Sequence, residues 1–304
     1  AADKDTATVE SARSAVRLNG LERNITVVES DANAFLQDHV QDRFDLVDLD
    51  PFGSPAPFFE SAARATTDLG VVASTATDMG PLSGARPAAC FRKYGARLAR
   101  SEFQKEMAVR VLAGCLANIA GRLELDINIL FAHASDHYAR IYAAIMKGRP
   151  FANSSVKLIG FVEYCPNCLR RDARHSLGGI RTTCEDCSSK TAISGPIWLG
   201  LISDAMIVHG MVERTPLLYS SRLSEIQRIL AYAEQESQLP AFYYRTDSIS
   251  GSLGSKPPAR AAVLKSLREA GYAATGTHFH PNGFRTDAPN REIVSLVRSL
   301  SQKT

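Results

Sequence analysis

The apolar positions of the chain fall first into alternating helical and extended segments. From Thr8 to Leu18 they recur at helical spacing and stop at Asn19-Gly20, a C-terminal helix signal. Asn24 to Glu29 is short and β-branched and predicts a strand; a helix is expected over Ala34 to Val40. Phe44-Asp45-Leu46-Val47-Asp48-Leu49 suits a buried strand, Phe58 to Thr67 a helix, and Leu69 to Thr75 another buried strand. Such alternation argues for an α/β fold, a parallel sheet with crossover helices. Glu102 to Ala120 is the longest helical stretch, with Phe103, Met107, Val111 and Cys115 or Leu116 on one apolar face. Leu125 to Phe131 and Tyr138 to Met146 then predict two consecutive strands, separated only by His133 to His137. Without a helix between them, the last strand is expected to run antiparallel.

Lys147-Gly148-Arg149-Pro150 marks a boundary, giving an expected first domain over 1–150 and a second over 151–304. Beyond it the pattern is shorter and mixed. Lys157 to Tyr164 predicts a strand leading into Cys165, Ser221 to Glu236 a helix, and Ala241 to Arg245 a short strand. Pro258 to Ala270 predicts a helix opened by proline and ended by Gly271. Ala273 to Phe279, turning at Pro281-Asn282-Gly283, predicts a hairpin, and Asn290 to Leu300 a final helix after Pro289. Helix, helix and hairpin in that order suggest an α+β, winged-helix-like arrangement. The opening Ala1-Ala2-Asp3-Lys4 has the character of a strand end, so further residues are expected upstream.

Composition narrows the class. The 304 residues are 45% hydrophobic and 22% charged, ordinary for a globular protein. No apolar run approaches the roughly 20 residues of a membrane helix, and no signal segment opens the chain, so no membrane role is expected. Cys165-x2-Cys168 and Cys184-x2-Cys187, fifteen residues apart, have zinc spacing. Four thiolates around one Zn²⁺ leave no open position, so the site would be structural. Paired cysteines of this kind fit a reducing compartment, hence a cytoplasmic protein or a nuclear or organellar form of it. Net charge is +3, but residues 151–304 hold 18 Lys and Arg against 13 Asp and Glu, while 1–150 hold 17 against 19. The second half is therefore expected to meet an anionic partner. Between the cysteine pairs, Arg170, Arg171, Arg174, His175 and Arg181 either touch phosphates or form a solvated loop.

The candidate chemistry sits at strand exits, where open α/β sheets bind their ligands. Asp50-Pro51-Phe52-Gly53 places a carboxylate, a fixed turn, an aromatic ring and a glycine at one such exit. Asp3, at an earlier strand end, is placed to accept two ribose hydroxyls. Asp31 is placed to take an adenine amino group, with the Ala32 amide on a ring nitrogen. Each aspartate alone is an ordinary helix N-cap; their order along successive strands favours cofactor binding. Asp78 follows a further strand and has either a substrate or a structural role. Arg86, Tyr94 and Arg140 either contact substrate or pack and pair. His133 and His137 flank a turn and either bind metal or, the better reading, stabilise the loop. His278 and His280 are expected on one exposed strand face. Lys256, Arg260, Lys265 and Arg268 form either a solvated helix face or a contact to an RNA backbone.

Several strings together resemble the tRNA (guanine-26,N2)-dimethyltransferase family over nearly the whole chain. They are Asp50-Pro51-Phe52-Gly53-Ser54-Pro55, Thr77-Asp78, Gly84-Ala85-Arg86-Pro87, Lys93-Tyr94-Gly95 and Ser135-Asp136-His137-Tyr138-Ala139-Arg140. The four cysteines, Gly195-Pro196-Ile197-Trp198-Leu199-Gly200 and Thr286-Asp287-Ala288-Pro289 complete the set. The resemblance implies a Rossmann-like class I methyltransferase sheet, N-terminally incomplete because the family's first strand and glycine-rich loop have no counterpart here. It implies S-adenosylmethionine as cofactor, one structural Zn²⁺, a C-terminal tRNA-binding domain, tRNA as partner and no obligate protein partner. It also implies that Asp50 accepts a guanine N2 hydrogen bond, that the Pro51 carbonyl takes the second hydrogen, and that Phe52 stacks on the base. An adenine-N6 methyltransferase and a zinc-stabilised RNA-binding module without catalysis are the competing readings.

Overall fold

A computed structural model of the chain describes residues 1–41, 43–135 and 137–302. The first half begins with β1 (Ala2–Asp3), α1 (Thr6–Leu18), β2 (Val28–Glu29), α2 (Ala32–Asp38) and β3 (Phe44–Leu49). It continues with α3 (Phe59–Ala65), β4 (Thr66–Ala76), α4 (Met79–Leu82), α5 (Pro87–Tyr94), α6 (Gln104–Arg122), β5 (Leu125–Ala134) and β6 (Ala139–Lys147). β1 and β2 pair in parallel, Asp3 opposite Glu29. A second sheet has the order β3-β4-β6-β5, with β3 parallel to β4 and β6 antiparallel to both its neighbours. The antiparallel closing strand is as expected. It enters between β4 and β5 instead of joining the edge.

Among the described residues β3 pairs with β4 alone; a cleft lined by Ala1, Ala2, Phe35, Leu36 and Leu46 to Leu49 separates its other edge from β1. The predicted helix ending at Thr67 stops at Ala65. Thr66 already belongs to β4, and its hydroxyl donates back to the Ala62 carbonyl at 2.7 Å. That back-bond is the usual way a β-branched threonine leaves a helix.

The second half comprises α7 (Arg149–Val156), β7 (Ile159–Tyr164), β8 (Arg171–Arg174), β9 (Ala192–Trp198), α8 (Ala205–Arg214) and α9 (Leu223–Glu236). It ends with β10 (Tyr244–Arg245), α10 (Thr246–Ser252), α11 (Arg260–Glu269), β11 (Ala274–Thr277), β12 (His280–Thr286) and α12 (Asn290–Ser301). Two antiparallel sheets result, β8-β7-β9 and β10-β12-β11, the latter packed by α9, α10 and α11, with α12 against α10 and α11.

The hairpin turn differs from expectation. It falls at His278-Phe279, and Pro281-Asn282-Gly283 lie inside β12. A register shift at Gly276/Thr277 absorbs the proline, which cannot donate to a ladder.

α6 joins the halves. One side packs on β5 and β6 and another on β9, so it is buried nearly all round, not along one face. At Gly114 a Cβ would lie 3.0 Å from the Trp198 amide nitrogen, so only glycine permits this approach of helix to strand. Glu106 and Arg110, both fully buried, pair with each other at 2.8 Å. Arg110 donates to the carbonyls of Trp198 and Gly200 at 2.9 and 3.0 Å. Glu106 accepts the amides of Phe242 and Tyr243 and pairs with Arg285 at 3.0 Å. Arg285 also pairs with Glu236, which accepts from His278. His278 is therefore 92% buried and not on an exposed face, because Glu236 and the rings of Phe131 and Phe279 enclose it. His280 lies partly buried at the start of β12.

Candidate active site and metal centre

β3 brings the chain to the carboxyl edge of the sheet, and Asp50-Pro51-Phe52-Gly53 turns it away. Gly53 takes φ +90°, a conformation that a side chain resists even though open space surrounds it. Its amide donates to Thr77 Oγ1 at 2.8 Å, and the Thr77 amide donates back to the Gly53 carbonyl at 2.9 Å. This reciprocal pair fastens the exit of β3 to the exit of β4. The residues just before it are left open. Among the described residues the Asp50 carboxylate has no hydrogen bond or ion pair, the Pro51 carbonyl accepts nothing, and the Phe52 ring is fully exposed. A desolvatable acid, an acceptor and a free π-face thus share one clamped turn.

Asp3 and Asp31 follow the carboxyl ends of the parallel pair β1 and β2. Asp3 Oδ1 accepts the Asp5 amide at 2.8 Å; Asp31 Oδ1 caps α2 by accepting the amides of Asn33 and Ala34. In each case Oδ2 has no partner among the described residues, so capping leaves half of each carboxylate available. The Ala32 amide opens α2 as a first-turn donor without an acceptor.

The remaining predicted residues are placed differently. Asp78 is engaged on both oxygens, by Lys93 Nζ at 2.7 Å and the Tyr94 hydroxyl at 2.5 Å. Tyr94 is buried; burial first, and then Asp78, push its hydroxyl pKa up. Arg140 pairs with Asp48 at 2.8 Å, donates to Thr75 and Tyr142, and stacks over the Tyr142 ring. Asp78 and Tyr94 are thus occupied with each other between β4 and α5, while Arg140 is occupied by Asp48, Thr75 and Tyr142 across the sheet. Arg86 is exposed and unpaired among the described residues. His133 lies within β5, between Phe131 and Tyr138; burial, with His278 and Arg140 nearby, pushes its pKa down to about 4, so the ring is neutral. His137, beyond the end of β5, is exposed. Asp136 lies outside the described residues.

The four cysteines converge. Their sulfurs all lie within 4.8 Å of one another, Cys165 to Cys187 at 3.4 Å and Cys168 to Cys184 at 3.5 Å. The two knuckles share one design. The Cys165 amide donates to the Arg170 carbonyl and the Leu169 amide to the Cys165 carbonyl; Cys184, Ser189 and Ser188 repeat the pattern. Leu169 and Ser188 both take positive φ, +63° and +58°. Side-chain residues accept that conformation only where it is held in place. Asn290, at the start of α12, donates to the Cys168 carbonyl at 3.1 Å, and Arg291 pairs with Asp186 between the second cysteine pair.

The loop arginines do not await phosphates. Arg170 pairs with Asp172, Glu185 and Asp186, Arg174 with Glu163, Arg181 with Glu185, and buried Arg171 with Glu102. His175 bonds the Lys157 carbonyl. In the second half of the chain Arg260 donates to Tyr232 and Arg268 to the Ala274 carbonyl, while Lys265 faces Glu269. Of that helix group Lys256 is exposed and unpaired among the described residues.

Parallel strands, an antiparallel strand inserted before the edge, and acids at successive exits define an α/β methyltransferase. Over residues 1–298 the sequence matches the family described as N2,N2-dimethylguanosine tRNA methyltransferase, and the chain belongs to that family. It is 31% identical, over 97% of its length and 75% of the relative's, to the tRNA (guanine(26)-N(2))-dimethyltransferase of Methanosphaera stadtmanae. The Methanosphaerula palustris protein of the same name is 34% identical over 97% of this chain and 77% of its own. A solved complex of Trm1 from Pyrococcus horikoshii with S-adenosyl-L-methionine superposes with a TM-score of 0.87 at 29% identity, covering 97% of this chain and 80% of that one. Among the described residues no helix is long and apolar enough to cross a membrane.

Proposed function

We propose that the chain transfers methyl groups from S-adenosylmethionine to the exocyclic N2 of guanine 26 in tRNA, first one and then a second. Family membership supports the reaction class. The observation that carries the site is the clamped turn: Gly53 is fixed to Thr77, and Asp50, Pro51 and Phe52 beside it are free of partners.

S-adenosylmethionine, when bound, supplies a methyl group on a positively charged sulfur. The unengaged Oδ2 of Asp3 would hold its ribose hydroxyls, and that of Asp31 its adenine amine, with the Ala32 amide on a ring nitrogen. Guanine N2 is a weak nucleophile, because its lone pair is delocalised into the ring. The Asp50 carboxylate accepts one N2 hydrogen and the Pro51 carbonyl the other, which holds the amine with its lone pair free. As N2 gains a bond its protons become acidic, and the Asp50 carboxylate accepts one. Stacking on Phe52 fixes the base plane, and such alignment supplies much of the rate. One N–H survives the first transfer and meets the same acceptor, which makes a second transfer feasible. A base inside folded tRNA must leave its stack to reach this turn.

The four thiolates would hold one Zn²⁺. Zinc–sulfur bonds of about 2.3 Å around a tetrahedron place sulfurs about 3.8 Å apart, and the observed 3.4 and 3.5 Å need little adjustment. The division into a methyltransferase domain over 1–150 and a zinc-containing, tRNA-binding, winged-helix-like domain over 151–304 is part of this reading. The order α9, β10, α10, α11, β11, β12 and the sheet β10-β12-β11 support it.

The test is methyl transfer from labelled cofactor to unmodified tRNA, followed by nucleoside digestion. Label in N2-methylguanosine and N2,N2-dimethylguanosine at position 26 is expected, with about one zinc per chain by metal analysis. Label in adenosine, or no transfer, would overturn the reading.

A further inference from the structure

Many cations of the second half are held in internal ion pairs, and its exposed unpaired ones, Lys157, Lys190, Arg228, Lys256 and Arg298 among the described residues, are scattered singly along the chain. Unpaired ones gather elsewhere. Between Asp78 and Glu102 the chain holds no carboxylate but carries Arg86, Arg92, Lys93, Arg97 and Arg100. These residues run from the start of α5 through the loop that leads to α6. Lys93 is matched by Asp78. Arg86, Arg92, Arg97 and Arg100 are exposed and, among the described residues, have no carboxylate partner; Arg97 rests on the Phe91 ring, 4.8 Å from its centre. Arg122, at the end of α6, is likewise exposed and unpaired.

The position of this stripe matters as much as its charge. Arg92, Lys93 and Arg122 line a cleft of about 680 Å³ whose wall also includes Ser54, Ala56 and Pro57. Those wall residues directly follow Asp50-Pro51-Phe52-Gly53. Among the described residues no carboxylate lines the cleft. Exposed guanidinium groups kept free of acids repel one another, and an arrangement of this kind is suited to polyanion, since arginine matches phosphate geometry with two parallel hydrogen bonds.

We propose that the 86–100 stripe together with Arg122 binds the phosphodiester backbone of the substrate RNA beside the target nucleotide. The first half, acidic in total, then supplies the contacts that set the register of the RNA over Asp50. Phosphate contacts of this type position a nucleic acid without reading its sequence. The inference rests on the methyltransferase reading and extends it from the base to the backbone.

The test compares the salt dependence of binding to unmodified tRNA across full-length variants. For Arg92→Gln with Arg122→Gln, and separately for Arg97→Gln with Arg100→Gln, the slope of log affinity against log salt is expected to fall by about 1.5 per pair. Arg→Lys at the same positions should restore most of the slope, because a point charge suffices for counterion release. The second-half pair Lys256→Gln with Arg298→Gln should change it little. A wild-type slope in both first-half pairs, or a larger loss in the second-half pair, overturns the proposal. Methyl transfer by the unmodified chain is measured alongside. Its absence refutes the underlying reading, whereas transfer with unchanged slopes refutes only the backbone contact. Unchanged thermal unfolding of the variants excludes misfolding as the cause of any loss.

Discussion

The exit of β3 and the seam along α6 use the same residue types in opposite ways. At the seam, Glu106, Arg110, Glu236, His278 and Arg285 are all buried, and each charge meets an opposite charge or a backbone amide. At the exit, Asp50 is exposed and meets nothing. A buried charge without a partner costs about 3–5 kcal/mol, so the charges of the seam are paired in the folded chain. An exposed charge without a partner costs little and is left over for a ligand. On the proposed function, an unpaired charge held at a clamped turn marks the working end of this molecule, while paired charges mark its frame.

Asp50→Asn should sharpen that contrast most. Methyl transfer is expected to fall by about 10²- to 10⁴-fold, the range for loss of a proton acceptor, with the unfolding temperature unchanged. A stability loss with intact transfer would place Asp50 in the frame instead. Glu236→Gln should do the reverse. Removing one partner of a buried pair costs about 3–5 kcal/mol, read as a lower denaturant midpoint, because Glu106 alone is then left to balance both Arg285 and Arg110.

Acid should act on the same group. Burial alone would raise the Glu236 pKa, but Arg285 and then His278 outweigh it and hold it at about 2. Its folded pKa lies below the unfolded value near 4.3, so this contribution is present above pH 4.3 and lost as pH falls towards 2. About 3 kcal/mol is expected to disappear across that window, and Glu236→Gln should flatten the decline. An equally steep acid transition in the variant would assign the effect to other carboxylates. The smallest effect belongs to the clamp. Gly53→Ala places a side chain at φ +90° and should cost about 1–2 kcal/mol, with a larger proportional loss of transfer than of stability.

The parts visible in the sequence were those whose members are near neighbours along the chain. Asp50 to Gly53 are consecutive, and each cysteine pair spans four residues. The alternation of strands and helices up to β6 was equally local, as was the absence of a helix between β5 and β6. The seam was hidden because its bonds cross the chain, Glu106 to Phe242 spanning 136 positions. On a helical wheel Glu106 and Arg110 are polar and suggest a wet face; only the arrival of β9 and Arg285 buries them. β8 and β9 were missed because arginines paired to acids and the Gly195-Pro196 step break the period-two pattern. The Pro281-Asn282-Gly283 turn failed because strong local turn chemistry lost to a sheet register. Net charge misled for a related reason: it counted the loop arginines without their acids and averaged away the acid-free run from 79 to 101.

The close approach at Gly114 has one last consequence. A helix wedged between two layers, with charges shared across it, ties the two halves together along its length. Domain closure needs a few residues that can absorb the rotation. The enzyme is thus built like a jig in which cutter and rest are machined from one block. On the proposed function it is then the target base that moves, out of its stack and onto the clamped turn.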